Sequence, residues 1–210
     1  MEELFYNINE DNKNDLLRQF EAINVVCKKN QRILSSIRSD HYICMVISGH
    51  VQIIRNDFNG DVIIIEDLLD NSLFGSILSN ITNPEYEIIT KDDSVLMVID
   101  WDNIINCSNN TDYYNQFMKN LLKIMYEKVQ ENNIRIEILG CKTIREKLLS
   151  YFNMMVGNTT NRVFYLPFNY SDLAKYLAIN RCAMAREIKA LKNDRMIEIK
   201  GKRIELLYYK

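Results

Sequence analysis

The sequence predicts an α+β protein in which a β-rich first half is followed by a long helix and then by a compact module of short helices and a hairpin. Three patterns lead to this prediction. Short runs of alternating apolar and polar residues between positions 25 and 99 are typical of antiparallel strands. Residues 112–139 repeat apolar side chains at helical spacing. Residues 170–206 contain two short amphipathic helices, a tight turn between them and a two-stranded hairpin after them.

The length of the chain and its charge distribution restrict the range of functions to be considered. The 210 residues suffice for two modest domains, each able to bury its own core. Residues 161–210 carry 11 lysines and arginines against 5 acids, a formal charge of +6, whereas residues 1–160 carry 15 against 23, which gives −8. This asymmetry predicts that the C-terminal region binds an acidic partner and that the first part has another task.

Several classes of protein are not indicated. No apolar run approaches the length that spans a bilayer and no targeting signal is visible at the N-terminus, so we expect a cytoplasmic protein with no membrane partner. The cysteines are odd in number, scattered and without CxxC spacing, so we predict free thiols and no metal site. Two histidines, no Gly-rich phosphate loop and no nucleophile elbow argue against an enzyme.

The first half is predicted to be a sandwich or barrel. Residues 1–20 read as a helical lead-in anchored by apolar side chains. Strands are then predicted over the ranges 41–49, 50–55, 61–66, 87–90 and 94–99, with a turn at 56–60.

The long helix over 112–139 carries a near-heptad pattern with polar interruptions. Its repeating positions are Phe117, Leu121, Ile124 or Met125, Lys128, Asn132, Arg135 or Ile136, and Leu139. Two interpretations stay open: the helix packs on its own strands, or it pairs with a second copy of itself. Gly140 is predicted to end it, and Thr143 to cap a following helix over 144–155. A loop is predicted at 157–160.

The C-terminal module is predicted in most detail. Asn169 and Ser171 are N-cap candidates for its first helix, and Asn180 for its second, which is predicted over 181–193. In the second helix Met184, Ile188 and Leu191 form an apolar stripe. The other side carries Arg181, Cys182, Ala185, Arg186 and Lys189.

Such a face can enter a DNA major groove, where an arginine can bond bidentately to guanine, and the small residues permit close approach. The alternative is an ordinary solvated surface. The hairpin favours DNA, because its turn at Gly201 is surrounded by Lys200, Lys202 and Arg203, which suit phosphate. The predicted DNA-binding residues are Asn180, Arg181, Cys182, Ala185, Arg186, Lys189, Lys200, Lys202 and Arg203.

The run DLAKYLAINRCAMAREIKALKNDRMIEIKGKRI resembles the DNA-binding domain of the Crp/Fnr family of bacterial transcription regulators. The stretch VISGHVQIIRNDFNGDVIII, with Leu73-Phe-Gly75 downstream, is similar to the β-roll sensor domain of the same family. The resemblance implies an N-terminal antiparallel β-roll of the jelly-roll type, a dimerisation helix and a winged helix-turn-helix. The corresponding domains would be 1–110, 111–140 and 141–210.

The resemblance also implies a homodimer on an inverted-repeat operator, with RNA polymerase as a further partner. The implied dimer interface comprises Phe117, Leu121, Ile124, Met125, Lys128, Asn132 and Leu139. In family members most similar to this run, a glutamate occupies the place of Cys182 and accepts from cytosine. Cysteine cannot do so, which predicts a half-site other than TGTGA.

The resemblance leaves open which effector the predicted β-roll would bind. Family members that bind cyclic nucleotides hold the ribose with Gly-Glu-Leu and the phosphate with Arg-Ser. Here the matching segments read Gly75-Ser76-Ile77 and Tyr86-Glu87, so we predict no binding of cAMP. The candidate effector pocket comprises Phe74, Gly75, Ser76, Tyr86 and Glu87.

Three alternatives for sensing remain at this stage. Haem would need an axial ligand such as His41 or His50, and nothing in the pattern supports one. Cys182 could serve as a redox thiol near a helix N-terminus, although a small residue tolerated against DNA is the simpler interpretation. In the third alternative the β-roll senses nothing and serves only dimerisation or contact with RNA polymerase.

Overall fold

A computed structural model of the chain describes residues 3–33, 41–56, 62–78, 81, 85–107, 111–157 and 162–208. The predicted turn residues 57–60 and loop residues 158–160 lie outside these ranges. The chain forms two compact units, Met1–Val129 and Gln130–Lys210.

The first unit contains seven of the described strands and a helix at either end of them. In chain order these are α1 (Glu10–Gln19), β1 (Ile23–Cys27), β2 (Tyr42–Ser48), β3 (Val51–Asn56), β4 (Val62–Leu68), β5 (Leu73–Phe74), β6 (Tyr86–Thr90), β7 (Ser94–Asp100) and α2 (Trp101–Ile105). The strands form two antiparallel sheets of order β1-β7-β2-β5 and β4-β3-β6. The predicted β-roll and its strand ranges are thereby confirmed, while β1, the two-residue β5 and α2 were not predicted.

Alternation along β2 explains how the sheets are covered. Cys44 and Val46 point into a cluster shared with β3, β4 and β6 of the other sheet. Ile43 and Met45, on the opposite face, join a second cluster with α1, α2 and the next helix. Because side chains alternate between faces, one strand contributes to both cores, and nearly every residue of β2 is buried.

The next helix, α3 (Asp112–Gly140), runs over 29 residues and ends at Gly140 as predicted. Within the first unit its Phe117 and Leu121 are 1% exposed and pack into the second cluster, where the ring centroids of Phe117 and Phe20 lie 5.0 Å apart in a tilted arrangement. The buried amide of Asn120 donates to the carbonyls of Leu4 and Tyr6, which satisfies a polar group in this interface.

The second unit has the elements predicted for the C-terminal module and one more. They are α4 (Ile144–Val156), β8 (Val163–Tyr165), α5 (Tyr170–Tyr176), α6 (Arg181–Asn193), β9 (Ile197–Lys200) and β10 (Arg203–Leu206). The strands form an antiparallel sheet of order β8-β10-β9. The unpredicted strand β8 therefore adds a third strand to the predicted hairpin.

The caps predicted at Thr143, Asn169 and Asn180 and the apolar stripe of α6 are confirmed, whereas the other candidate cap, Ser171, lies inside α5. Thr143 and Glu146 form a capping box at α4, Asn169 caps α5 and Asn180 caps α6. One apolar core unites α4, α5, α6 and the sheet. Its fully buried members include Leu148, Tyr151, Phe152, Leu173, Leu177, Met184, Leu191 and Ile204.

Candidate nucleic-acid interface

The orientation of α6 is fixed by its buried stripe. Met184 and Leu191 are fully buried and Ile188 nearly so, because they pack on α5 and α4. A helix with one face held this way must present the other to solvent. The predicted contact residues on that face are all exposed: Arg181, Cys182, Ala185, Arg186 and Lys189.

The start of α6 is tightly defined. The side chain of Asn180 accepts hydrogen bonds from the backbone N–H groups of Cys182 and Ala183, at 2.9 and 3.1 Å. The turn before it passes through Ala178, whose φ of +50° lies in the left-handed region. Ala174, 3% exposed, lies in the core of the same helix pair. Small residues therefore line the junction of the two helices.

Arg145 on α4 was missed by the sequence analysis and holds the far side of α6. Its Nε lies 3.4 Å from Oε1 of Glu187, and it also pairs with Asp194, the C-cap residue of α6. The hydrogen bond that Arg145 donates to Asp194 raises the pKa of Arg145, and the charges of Asp194 and Glu187 add to the effect. These are the two acidic residues in the 181–194 segment, so Arg145 pairs with both.

The hairpin tip is less basic than predicted. Gly201 turns at φ +63°, and Lys200 and Arg203 face each other across the two strands. Lys200 pairs with Glu198 at 2.9 Å, and Arg203 with Glu205 at 2.8 Å. The hydrogen bond from Lys200 lowers the pKa of Glu198. Among the residues the structure describes, Lys202 forms no ion pair, so it is the tip cation whose charge is not offset locally.

The predicted effector residues lie on both sheets of the β-roll. Phe74 is buried in the cluster between the sheets, and Tyr86 packs against that cluster. Gly75 has φ +140°, and a Cβ there would meet the carbonyl oxygen of Tyr42 at 2.3 Å, so this segment presses on β2. The hydroxyl of Ser76 accepts a hydrogen bond from the N–H of Tyr42 at 2.9 Å.

Glu87 is engaged by neighbouring polar groups. Its carboxylate lies 3.2 Å from Nε of Arg32 and accepts a hydrogen bond from the amide of Asn56, also at 3.2 Å. The place where the family resemblance would put a phosphate-binding arginine therefore holds an ion-paired acid.

The buried members of the cluster between the sheets include a tyrosine and two cysteines. The hydroxyl of Tyr42 is buried and has no hydrogen-bond partner in the described structure. Burial raises the pKa of Tyr42, and likewise the pKa values of the Cys27 and Cys44 thiols. These thiols are therefore held in their neutral, unreactive form.

One of the two histidines is bonded to an acid, and the cysteines are free. Nε2 of His50 is 2.8 Å from Oδ1 of Asp67, so that nitrogen is already used. All five cysteines are free, and Cys182 is exposed on α6. Over the described ranges no group of three His, Cys, Asp or Glu side chains is placed to hold a metal ion.

The predicted dimer residues need correction. Phe117 and Leu121 are buried in the core of the first unit, Ile124 and Met125 pack against it, and Lys128 is bonded to Glu66. Because these side chains cover their own β-roll, they cannot form the outer face of α3. Asn132 is exposed and Leu139 half-buried.

The outer face of α3 is instead one residue further along at each repeat. Leu122, Tyr126, Val129 and Ile136 are 62%, 64%, 53% and 67% exposed. With exposed Asn133 they recur at intervals of four and three residues, which is heptad spacing. The sequence analysis missed this set because both faces of the helix are apolar.

In the portion of the chain that is described, no helix combines the length and apolar character needed to cross a bilayer.

Comparison with solved structures shows which known proteins share this architecture. A CooA variant from Carboxydothermus hydrogenoformans superposes with a TM-score of 0.70 at 16% identity, over 91% of this chain and 85% of the other. A cyclic nucleotide-binding domain containing protein from Listeria monocytogenes gives 0.68 at 16% identity, over 92% and 96%.

A protein described as a Crp/Fnr-family transcriptional regulator, from Eubacterium rectale, gives a TM-score of 0.54 at 15% identity over 99% and 94%. No protein-family model and no curated protein matches the sequence. The structural likeness covers nearly the whole chain and shows that it has the fold of Crp/Fnr regulators, as the sequence resemblance implied.

Proposed function

We propose, from the Crp/Fnr fold and the exposed face of α6, that this chain is a transcription regulator that binds specific duplex DNA. The single observation that carries the proposal is the division of α6 into two faces. One face is buried against α4 and α5, and the other presents two arginines and a lysine among small residues. A basic helix face with nothing bulky beside its arginines can reach base edges in a major groove.

Base reading is assigned to the N-terminal half of α6. Arg186, with Nε bonded to the carbonyl of Cys182 at 3.4 Å, is the residue proposed to contact guanine, and Arg181 to contact a base or phosphate. Cys182 offers no acceptor for cytosine comparable to a carboxylate. The preferred half-site therefore differs from TGTGA at that base pair, where a thymine methyl suits the thiol.

The acting species is proposed to be a homodimer formed through α3. Tyr126 and Asn133 occupy one set of heptad positions, and Leu122, Val129 and Ile136 the other, so two helices can pack along this seam. A single asparagine within such a seam favours paired, in-register helices over other arrangements. Two α6 helices would then enter successive major grooves about 34–36 Å apart, so the operator is an inverted repeat.

The β-roll is proposed not to respond to cAMP. A bound phosphate would meet Glu87, which is already paired with Arg32, and the ribose would meet Ser76 in place of a carboxylate. A buried anion without a cationic partner is strongly disfavoured. Isothermal titration calorimetry with cAMP at micromolar concentration should show no heat of binding, and a saturable signal would contradict this part of the proposal.

Binding-site selection from a random duplex library tests the central proposal. The selected sites should be inverted repeats with half-site centres one helical turn apart. In fluorescence anisotropy at moderate salt, the selected duplex should bind at least about a thousandfold more tightly than a scrambled duplex. Equal affinity for the two duplexes would contradict sequence-specific binding, and recovery of TGTGA half-sites would contradict the assignment of Cys182.

A further inference from the structure

The outer face of the three-stranded sheet in the second unit carries an ordered pattern of charge. In β10, Arg203 lies directly opposite Tyr165 of β8 and Lys200 of β9. Residues directly opposite in antiparallel strands project from the same face with their Cβ atoms about 5 Å apart. Tyr165, Arg203 and Lys200 therefore form one continuous row across all three strands, which we call the tip row.

A second row lies two residues further from the turn. Glu205 is opposite Val163 on β8 and Glu198 on β9. The face thus has an aromatic and two cations beside the hairpin turn and two acids behind them. The other face of these strands is apolar, since Phe164, Ile204 and Ile197 lie in the core.

The tip row is open to solvent. Tyr165 is 68% exposed, an unusual environment for a large ring, and the side chains of Lys200 and Arg203 are 72% and 32% exposed. Like charges opposite one another destabilise a sheet, and this sheet has a pair of cations followed by a pair of acids. The pairs Lys200–Glu198 and Arg203–Glu205 offset that cost along each strand.

We propose that the tip row is a phosphate-binding surface for duplex DNA, with the Tyr165 hydroxyl donating to a phosphate oxygen beside those held by Lys200 and Arg203. Tyrosine hydroxyls are frequent donors to the DNA backbone, and neighbouring strands are about 4.8 Å apart. The contact therefore extends from the hairpin onto β8, which lies outside the predicted DNA-binding set. The Glu205–Glu198 row repels the backbone and limits how far it extends across the sheet.

This inference rests on the proposed function, because it assumes that the hairpin tip lies against DNA. It makes a distinct claim about Tyr165 and the acids. A phosphate contact contributes affinity without sequence information, so its loss should weaken selected and scrambled duplexes by the same factor. Loss of an acid from the second row should have the opposite sign.

The test uses the full-length chain and four variants in fluorescence anisotropy across a salt series. Tyr165→Phe, which removes only the hydroxyl, should lower affinity about fivefold for both duplexes, and Tyr165→Ala by at least as much. Glu205→Gln should raise affinity about two- to threefold and steepen the salt dependence, because Arg203 is released to phosphate. Tyr6→Ala, at an aromatic 63% exposed in the other unit, is the matched control and should bind like the wild type.

Each outcome supports or overturns a stated part of the inference. Affinities of both Tyr165 variants within twofold of a DNA-binding wild type would overturn the inference and leave the proposed function intact. Retained affinity in Tyr165→Phe alone would overturn the assigned role of the hydroxyl, and weaker binding by Glu205→Gln would overturn the role of the acids. A wild type that binds no duplex removes the proposed function and this inference with it. Melting curves serve to check that each variant is folded, and the Tyr165→Phe variant keeps the aromatic ring.

Discussion

The ammonium group of Lys128 lies 2.6 Å from Oε2 of Glu66, and it also donates to the carbonyl of Leu73 at 2.8 Å. Both charged side chains are largely buried, 14% and 13% exposed. This contact ties α3 to β4 and to the start of β5 within the first unit. Leu73 directly precedes the predicted effector residues Phe74, Gly75 and Ser76, so Lys128 supports their backbone.

Removing one partner of this pair should be costly. Lys128→Met leaves the carboxylate of Glu66 largely buried opposite an apolar side chain, and we expect a loss of about 3–5 kcal/mol in the free energy of unfolding. The measurement is equilibrium unfolding in urea. Lys128→Met with Glu66→Leu should recover most of the loss, because no charge stays buried. As a control, Lys123→Met breaks an exposed pair with Glu127 and should change stability by about 0.5 kcal/mol or less. A loss in the double variant as large as in the single one would contradict this account.

The corrected seam on α3 is tested by adding charge to it. Val129→Glu should convert the dimer to a monomer, because two carboxylates would face each other in an apolar interface. The measurement is sedimentation velocity, with anisotropy on an inverted repeat showing the accompanying loss of affinity. Glu131→Gln, two residues away and on the other side of the helix, should leave the dimer unchanged. If Val129→Glu stays dimeric, the seam lies elsewhere.

The substitutions Arg186→Ala and Lys202→Ala should affect DNA binding in different ways, one through sequence preference and the other through affinity for any duplex. Arg186→Ala should cost about 1–3 kcal/mol on the selected operator and relax the preference at one base pair, because a bidentate contact to guanine is lost. Lys202→Ala should weaken selected and scrambled duplexes alike and lower the slope of log affinity against log salt by about one. Competition binding with single-base operator variants separates the two patterns. Uniform weakening by Arg186→Ala would assign that arginine to phosphate.

The capping box of α4 predicts a dependence of stability on pH. Hydrogen bonds from Thr143, assisted by the N–H of Lys142, lower the pKa of Glu146 below its ordinary value of 4.5. Because the carboxylate is favoured in the folded state, its stabilisation is complete above 4.5 and is lost as the pH falls through the lowered pKa. Thermal unfolding of the wild type and Glu146→Gln should therefore differ at neutral pH and converge in acid. Parallel curves from pH 3 to 7 would contradict this role of Glu146.

The C-terminal module could be read from the sequence because several local signals agree there. Asn180 supplies a cap, Met184, Ile188 and Leu191 supply one clear apolar stripe, and Gly201 supplies the turn. Because these local preferences agree with one another, the structure of such a segment can be predicted without knowledge of its tertiary contacts. The bounds of α6 were predicted to the residue.

The proposed dimer face of α3 could not be predicted in the same way. Leu121 and Leu122 are chemically alike and adjacent, as are Asn132 and Asn133, so a register shifted by one residue fits the sequence equally well. Only the packing of Phe117 and Leu121 on the β-roll shows which stripe is used inside the unit. The pairing of Arg145 with Glu187 and Asp194 joins residues distant in sequence, so periodicity gives no sign of it.

The cap of α6 bears on how the proposed complex with DNA would dissociate. Amide groups at the first turn of a helix are a ready-made cradle for anions. Here the side chain of Asn180 already fills that cradle by accepting from Cys182 and Ala183. In the proposed complex, contact with nucleic acid then depends on the ammonium and guanidinium groups of side chains, which competing anions can also bind. We therefore expect competing nucleic acid to shorten the residence time of the proposed complex.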